Sequence, residues 1–451
     1  MFVRRLLRRV PRDTPLFTDA AFRRYWLGRL GSYAGDQIAR TALVIAVFDT
    51  HGARAVGWLL LAGTAPRLLG PVLGTLADRF DQRRLMVGCD LAQAAIYLVL
   101  AVLVPNLPAI VVLTAAGTAL ATVFTPAGRC LVPRMVGMER LPAANAQLAM
   151  AVNAGIAAGP LLGGLLFAAI DLRGTMLVNA ATFVLSAVLL SARGFREVAP
   201  AVARDRTGDS PGVPIGSGLA PAAVPPGSAV VATAHPVPKD SVLDDLRAGL
   251  RVVWSTPVVR AISLTLLGSV VFAALDNVAV VPFGLGQLHV DDAVVGLLGT
   301  AYGVGMAAAP MLLMLRRGYR PERLLLFALL GFGGGTVLTA VSPVLGLALC
   351  GQAFAGAGNG WENVATDTLI QRGAPPDRQG AVFGTVYTAP YAAEVIAYAF
   401  GGPLLAMMGP RWVLMLAGVG VLATAAVGYP AVMRARSRPV PPMTEPLPQT
   451  T

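Results

Sequence analysis

Gly74-Thr75-Leu76-Ala77-Asp78-Arg79-Phe80-Asp81-Gln82-Arg83-Arg84 is the stretch that decides how this chain is read. It crowds Asp78, Asp81 and three arginines into one short turn. Apolar runs of membrane length flank it, near 56–77 and 84–104. Charge is costly inside a bilayer and cheap at its surface, so this turn belongs at a membrane face.

The composition around it agrees. Of the 451 residues, 55% are hydrophobic and 13% are charged, where soluble domains carry about 25% charged residues. Mean hydropathy is +0.65. The net charge of +12 comes almost wholly from arginine, with Lys239 the only lysine. These arginines fall between apolar runs and not along one face, which excludes a nucleic-acid surface and fits the positive-inside rule. Cys89, Cys130 and Cys350 are isolated small residues with no metal or disulfide spacing.

A helix needs about 20 apolar residues to cross a bilayer. Runs of that kind lie near 25–48, 56–77, 84–104, 109–128, 146–169 and 174–194, then near 259–282, 294–315, 322–341, 345–370, 381–407 and 411–431. The expected fold is therefore an all-α membrane protein of twelve transmembrane helices in two pseudo-symmetric halves. Residues 1–24 form a basic cytoplasmic segment, 25–194 and 259–431 the two six-helix bundles, 195–258 a linker and 432–451 a cytoplasmic tail. The linker is rich in Pro, Gly, Ser and Ala. It ends in Leu243, Leu246, Leu250 and Trp254, spaced as an amphipathic surface helix. Arginines crowd the loops on the side of the termini, placing both termini in the cytoplasm.

The charged turn resembles the signature of the major facilitator superfamily, G-x-L-a-D-R-x-G-R/K-R/K, through Gly74, Leu76, Ala77, Asp78, Arg79 and Arg83. Asp81 and Gln82 depart from it. Span five carries Gly155-x-x-x-Gly159-Pro160-x-x-Gly163-Gly164, similar to the antiporter motif of that superfamily. Gly35-Asp36-Gln37, Pro126-Ala127, Leu131-Val132-Pro133, Ala143-Ala144-Asn145-Ala146 and Thr368-Leu369-Ile370-Gln371 narrow the resemblance to the drug:proton antiporter-3 group of macrolide and enterobactin-type exporters. Span four lacks the intramembrane arginine of several other drug antiporters. The resemblance implies the major facilitator fold and a cytoplasmic gate of Gly74, Asp78, Arg79, Arg83 and Arg84. Asp78 would brace the two halves, and Asp90 would partner Arg79 or Arg83.

Ionisable groups inside spans are functional candidates by cost alone. Asp36 and Arg40 share one face of span one, and Arg67 lies at similar depth on span two. Asp36 is either a proton-coupling carboxylate or part of a permanent ion pair. Asp276, Glu362 and Glu394 are the other carboxylates expected at a central proton-coupling and substrate cavity. Phe272, Phe283, Trp361, Tyr387, Tyr391 and Met306 are candidates for a greasy wall.

The function expected is proton-coupled efflux of small amphipathic compounds by alternating access, with small molecules, protons and the lipid bilayer as partners. The alternatives are a transporter of a siderophore or other anionic metabolite, and a sensor or scaffold that does not transport. No P-loop, nucleophile elbow or His/Cys/Asp cluster points to an enzyme, a metal or a cofactor. A monomer in the cell membrane is expected.

Overall fold

The computed structural model describes residues 16–70, 73, 80–102, 106–137, 140–192, 250–251, 253–314, 319–373 and 379–436. Gly74, Asp78 and Arg79 of the expected gate, the linker and most of the amphipathic segment lie outside these residues.

The described residues form helices and no strands. In chain order they are α1 (Ala20–His51), α2 (Ala53–Ala62), α3 (Gln82–Val102) and α4 (Leu107–Val136), followed by the long stretch Leu141–Ser191. That stretch is broken at Ile170 and Asp171, whose dihedrals are non-helical, and so provides α5 and α6. Then come α7 (Pro257–Gly286), α8 (Asp292–Met314), α9 (Pro321–Val341), α10 (Leu345–Gly373), α11 (Gln379–Met408) and α12 (Pro410–Arg436). Among the described residues, 8 stretches are long and apolar enough to cross a membrane, one of them Ala143–Ser191, which contains the break. α1, α2 and α10 fall outside that set. α1 and α10 carry polar groups such as Asp36, Arg40, Asn359 and Glu362, and α2 is short.

The sequence suggests one continuous helix over 56–77. Instead α2 ends at Ala62, and a 3-10 turn follows at Ala65–Leu69. Pro66 explains the break: it donates no backbone N–H and pushes the residue before it out of the α region. α4 runs past its expected end at 128 to Val136, carrying Pro126 and Pro133 within it.

Three apolar clusters show how the halves meet. One joins both halves at the side where α1 ends. It contains Ile45 and Val47 of α1, Val56 and Leu59 of α2, Val278 and Phe283 of α7, Leu298 of α8, and Tyr398 and Leu405 of α11. Toward the side where α1 begins the core splits in two. Phe22, Met86, Phe124 and Leu190 form one cluster in the amino-terminal half, and Ile262, Leu329, Ile370 and Val432 form another in the carboxy-terminal half. The halves are thus sealed on one side and parted on the arginine-rich side.

Glycine makes the seal. A Cβ on Gly57 of α2 would lie 2.8 Å from Cα of Gly402 on α11 and 2.9 Å from the Tyr398 carbonyl oxygen. Between α5 and α8 the approach is as close: a Cβ on Gly303 would lie 2.6 Å from Cα of Ala157 and 2.7 Å from the Ile156 oxygen. That oxygen is the one Pro160 leaves without its helical N–H partner. One turn on, the Leu161 N–H donates to the Thr300 hydroxyl at 3.1 Å, a hydrogen bond between halves.

The two halves repeat one fastening with different chemistry. Arg83, in the first turn of α3, donates through Nε and Nη2 to the carbonyls of Leu190 and Ser191 at the end of α6, at 2.7 and 2.6 Å. At the equivalent place in the second half, Glu322 at the start of α9 pairs with Arg436 at the end of α12.

Gly303→Ala is expected to lower thermal stability by about 1–3 kcal/mol, the usual cost of overpacking. Gly31→Ala, where a Cβ meets nothing within 4 Å, is expected to be neutral or to stabilise by up to about 1 kcal/mol. Melting curves of the two purified variants check this, and equal behaviour would contradict the seam.

Candidate functional site

A cavity of about 650 Å³ lies between the halves, on the parted side of the seal. Helical periodicity builds its wall. On α1, Arg29, Tyr33, Asp36 and Arg40 recur at three- and four-residue steps and form one stripe. On α4, Thr114, Thr118, Thr122 and Thr125 form a stripe of small residues. Thr118, Thr122 and Thr125 bond back to carbonyls of their own helix at 2.7–3.1 Å, which leaves the cavity wide at that wall. Gln93 and Tyr97 of α3, Arg67 after α2, Arg129 of α4, Asn277 of α7, and Tyr391, Glu394 and Tyr398 of α11 also line it.

Asp36 sits at the centre of the amino-terminal wall. Its Oδ1 accepts a hydrogen bond from the Tyr97 hydroxyl at 3.1 Å. The Tyr97 ring is stacked on Phe183, centroids 5.6 Å apart, and so holds the hydroxyl in place. Arg29 and Arg67 are within electrostatic reach of Asp36. No ion pair closes on Asp36, Arg40, Arg67 or Glu394 among the described residues. The guanidinium of Arg29 rests 5.2 Å from the Phe124 ring centroid and 5.8 Å from that of Tyr33, and that of Arg67 lies 5.7 Å from the Tyr391 centroid. Across the cavity, Arg67 and Arg40 act on Glu394.

The structure therefore brings together Asp36, Arg40, Arg67 and Glu394 as the sequence suggests. Asp276 and Glu362 are a correction: both are buried in the carboxy-terminal half and neither lines the cavity. Of the proposed aromatic wall Tyr391 is in place, while Phe283 is fully buried in the seal; the Tyr387 side chain lies outside the described residues. Two arginines escape sequence reading. Arg129 looks like a loop residue only if α4 stops at 128. Arg29 is one helical repeat from Asp36, a signal present in the α1 stripe.

The departures in the charged turn have local explanations. Oδ1 of Asp81 accepts the Arg84 N–H at 2.8 Å, so this residue caps α3. The Gln82 amide oxygen accepts from Arg134 of α4 at 3.0 Å. Asp90 is buried beside Ser186 of α6, and Arg29 is the basic group within its electrostatic reach. Arg83 instead directs its Nε and Nη2 donors to the end of α6.

The motif on α5 faces two ways. Gly155 and Gly159 admit Tyr33 and Gln37 of α1, and Gly163 admits Ile38 and Thr41. Gly164 and Pro160 face α8 of the other half, at Asp292, Gly296 and Gly299. The helix that carries the cavity's central stripe is thus packed on the helix that seals the two halves.

Comparison with known proteins accords with this architecture. The profile of the family described as Major Facilitator Superfamily matches residues 25–286 and 266–450. A Bacillus subtilis (strain 168) protein described as an uncharacterized MFS-type transporter, YfiS, is 26% identical over 402 residues, 83% of this chain and 84% of its own length. The enterobactin exporter EntS of Citrobacter koseri is 26% identical over 415 residues, 90% of each chain. Among solved structures, the nucleoside transporter NupG superposes with a TM-score of 0.66 at 11% identity, over 93% of this chain and 100% of that one. A bacterial homologue of the iron transporter ferroportin in its inward-facing state gives 0.63 at 17% identity, over 94% and 100%. At such identities the structures speak to the fold alone.

Arg83→Ala is expected to cost about 1.5–3 kcal/mol, the worth of hydrogen bonds from a charged donor. Thermal unfolding of the purified variant measures it, and an unchanged melting curve would refute the role of Arg83 as a clamp between α3 and α6.

Proposed function

This chain belongs to the Major Facilitator Superfamily of membrane transporters, and on that premise we propose that it exports small amphipathic compounds carrying a negative charge, driven by protons through alternating access. One observation carries the reading. Among the described residues, the cavity presents the guanidiniums of Arg29, Arg40, Arg67 and Arg129 against the carboxylates of Asp36 and Glu394. With both carboxylates ionised, positive charge remains in excess in a cleft with low-dielectric protein walls. There an anion is attracted more strongly than in solution. Arginine forks bind carboxylates and phosphates in bidentate fashion. Tyr33, Tyr97, Tyr391 and Tyr398 add aromatic faces for an apolar portion of the cargo.

Asp36 and Glu394 then serve as counter-charges. In the empty cavity they offset part of the arginine charge, and an arriving anion competes with them for the same guanidiniums. A cationic or neutral drug gains nothing from this arrangement, so the anion reading is favoured over general drug efflux. Relatives named as exporters of enterobactin support the outward direction. The arginine asymmetry of the loops supports cytoplasmic termini, with the parted side facing the cytoplasm. In that orientation the closed gate would involve Asp78 and Arg79 on the same side.

Inverted membrane vesicles with a preformed pH gradient test the proposal, using pairs of aromatic carboxylates and their uncharged amides. The acids are expected to dissipate the gradient and the amides to leave it intact. Arg67→Gln should weaken the apparent affinity about tenfold or more, given about 1.5–3 kcal/mol for a charge-assisted contact. Equal responses to acids and amides would overturn the anion reading.

A further inference from the structure

The four cavity arginines divide into two pairs. Arg29 of α1 and Arg129 of α4 both act on the hydroxyl of Tyr25, which belongs to the cluster on the parted side. Arg40 of α1 and Arg67 after α2 both act on Glu394 and on the hydroxyl of Tyr398, which belongs to the seal. Arg29 and Arg40 are three helical turns apart on α1, about 16 Å at about 1.5 Å per residue. Three whole turns return to one face, and both residues line the cavity. Tyr33 stands between the pairs, with Arg67, Arg29 and Arg40 all acting on its hydroxyl.

Aromatic rings hold one arginine of each pair in place. The Arg29 guanidinium lies 5.2 Å from the Phe124 centroid and 5.8 Å from that of Tyr33, and the Arg67 guanidinium lies 5.7 Å from that of Tyr391. A ring face orients a guanidinium without consuming its N–H donors, which stay available to a ligand. Asp36 lies between the pairs, within reach of Arg29 and Arg67, and Glu394 faces the second pair. Asp90 acts on Arg29 from behind the wall and does not line the cavity. One carboxylate bound at either pair leaves the other pair unused. At a separation of about 16 Å, two Debye lengths at physiological salt, an open cleft transmits little attraction between them. The wall between the pairs makes few polar demands. Thr118, Thr122 and Thr125 already donate to carbonyls of α4 at 2.7–3.1 Å, and the Tyr33 ring offers an aromatic face.

We propose that the cargo is a dianion, with two acidic groups about 10–16 Å apart on an apolar aromatic body and one acid at each arginine pair. The shorter limit allows for the reach of the arginine side chains. Two linked groups reinforce each other only when the link spans both sites, and a link too short gains nothing. Asp36 sharpens the limit, because it repels an acid placed midway. Arg129 is then a specificity residue: it stands at the parted end and selects long diacids over monoacids. The proposal rests on the anion reading of the cavity and adds to it a second charge and a length.

Calorimetric titration of the purified full chain in lipid nanodiscs tests it. The probes are rigid para-linked phenylene dicarboxylates of one, two and three rings, with the monoacid and the uncharged diamide of each. The three-ring diacid is expected to bind about tenfold or more tightly than its monoacid, the worth of a second charge-assisted contact. The one-ring diacid, too short to reach both pairs, should show little of that gain. Arg129→Gln should erase the three-ring advantage, and Arg129→Lys should restore most of it. The ring series on the unaltered chain decides the matter if Arg129→Gln does not fold. Diacids and monoacids bound alike at every length would overturn the proposal and leave the anion reading standing. So would an advantage equal at one ring and at three, or one that Arg129→Gln leaves intact. Diamides bound as tightly as the diacids would overturn both readings.

Discussion

Helices in lipid gain no hydrophobic energy by touching one another, because lipid tails are as apolar as leucine. What holds them is close packing, and here the two halves pack backbone against backbone where Gly57 meets Gly402, Gly164 meets Asp292 and Gly296 meets Pro160. Dispersion falls steeply with small gaps, so contacts this close are sensitive to a single methyl group. The rest of the architecture follows from where they sit. They close one end of the interface and leave the other parted, and the space between becomes the cavity.

The α5 motif links that seam to the chemistry. Its glycines seat α1, the helix that carries Asp36 and Arg40, and Pro160 and Gly164 of the same helix face α8 across the interface. The helix packed on the cavity's central wall is thus the same helix that meets the other half. The groups on that wall are arranged for response: Asp36 is held by a Tyr97 hydroxyl and lies among arginines without a closed ion pair. A permanently closed pair would resist exchange with an incoming anion, and a desolvated one costs several kcal/mol to break.

Much of this was legible in the chain. Apolar run lengths and the turn at 74–84 point to the fold, and the four-residue spacing of Asp36 and Arg40 places both on one face. Other features depend on geometry that spacing does not carry. Pro66 divides the second span, and no run of hydrophobicity shows it. α4 continues through Pro126 and Pro133, bringing Arg129 to the cavity when a hydropathy boundary would leave it in a loop. Asp276 and Glu362 look like cavity residues because intramembrane carboxylates usually face water. Only the rotation of α7 and α10 shows that they face protein. Asp81 and Gln82 look like defects in the turn until a helix cap and an arginine on α4 account for them.

On this reading, glycine contacts across the sealed side set which face is open. Pulsed electron paramagnetic resonance tests it with two pairs of spin labels. One pair sits at Arg134 and Arg372, exposed at the parted ends of α4 and α10, and the other at Val102 and Val344 on the sealed side. In the protein as it stands the first pair should be far apart and the second close. Gly57→Leu should reverse both, shortening the first distance and lengthening the second. Distances that Gly57→Leu leaves unchanged would contradict the account.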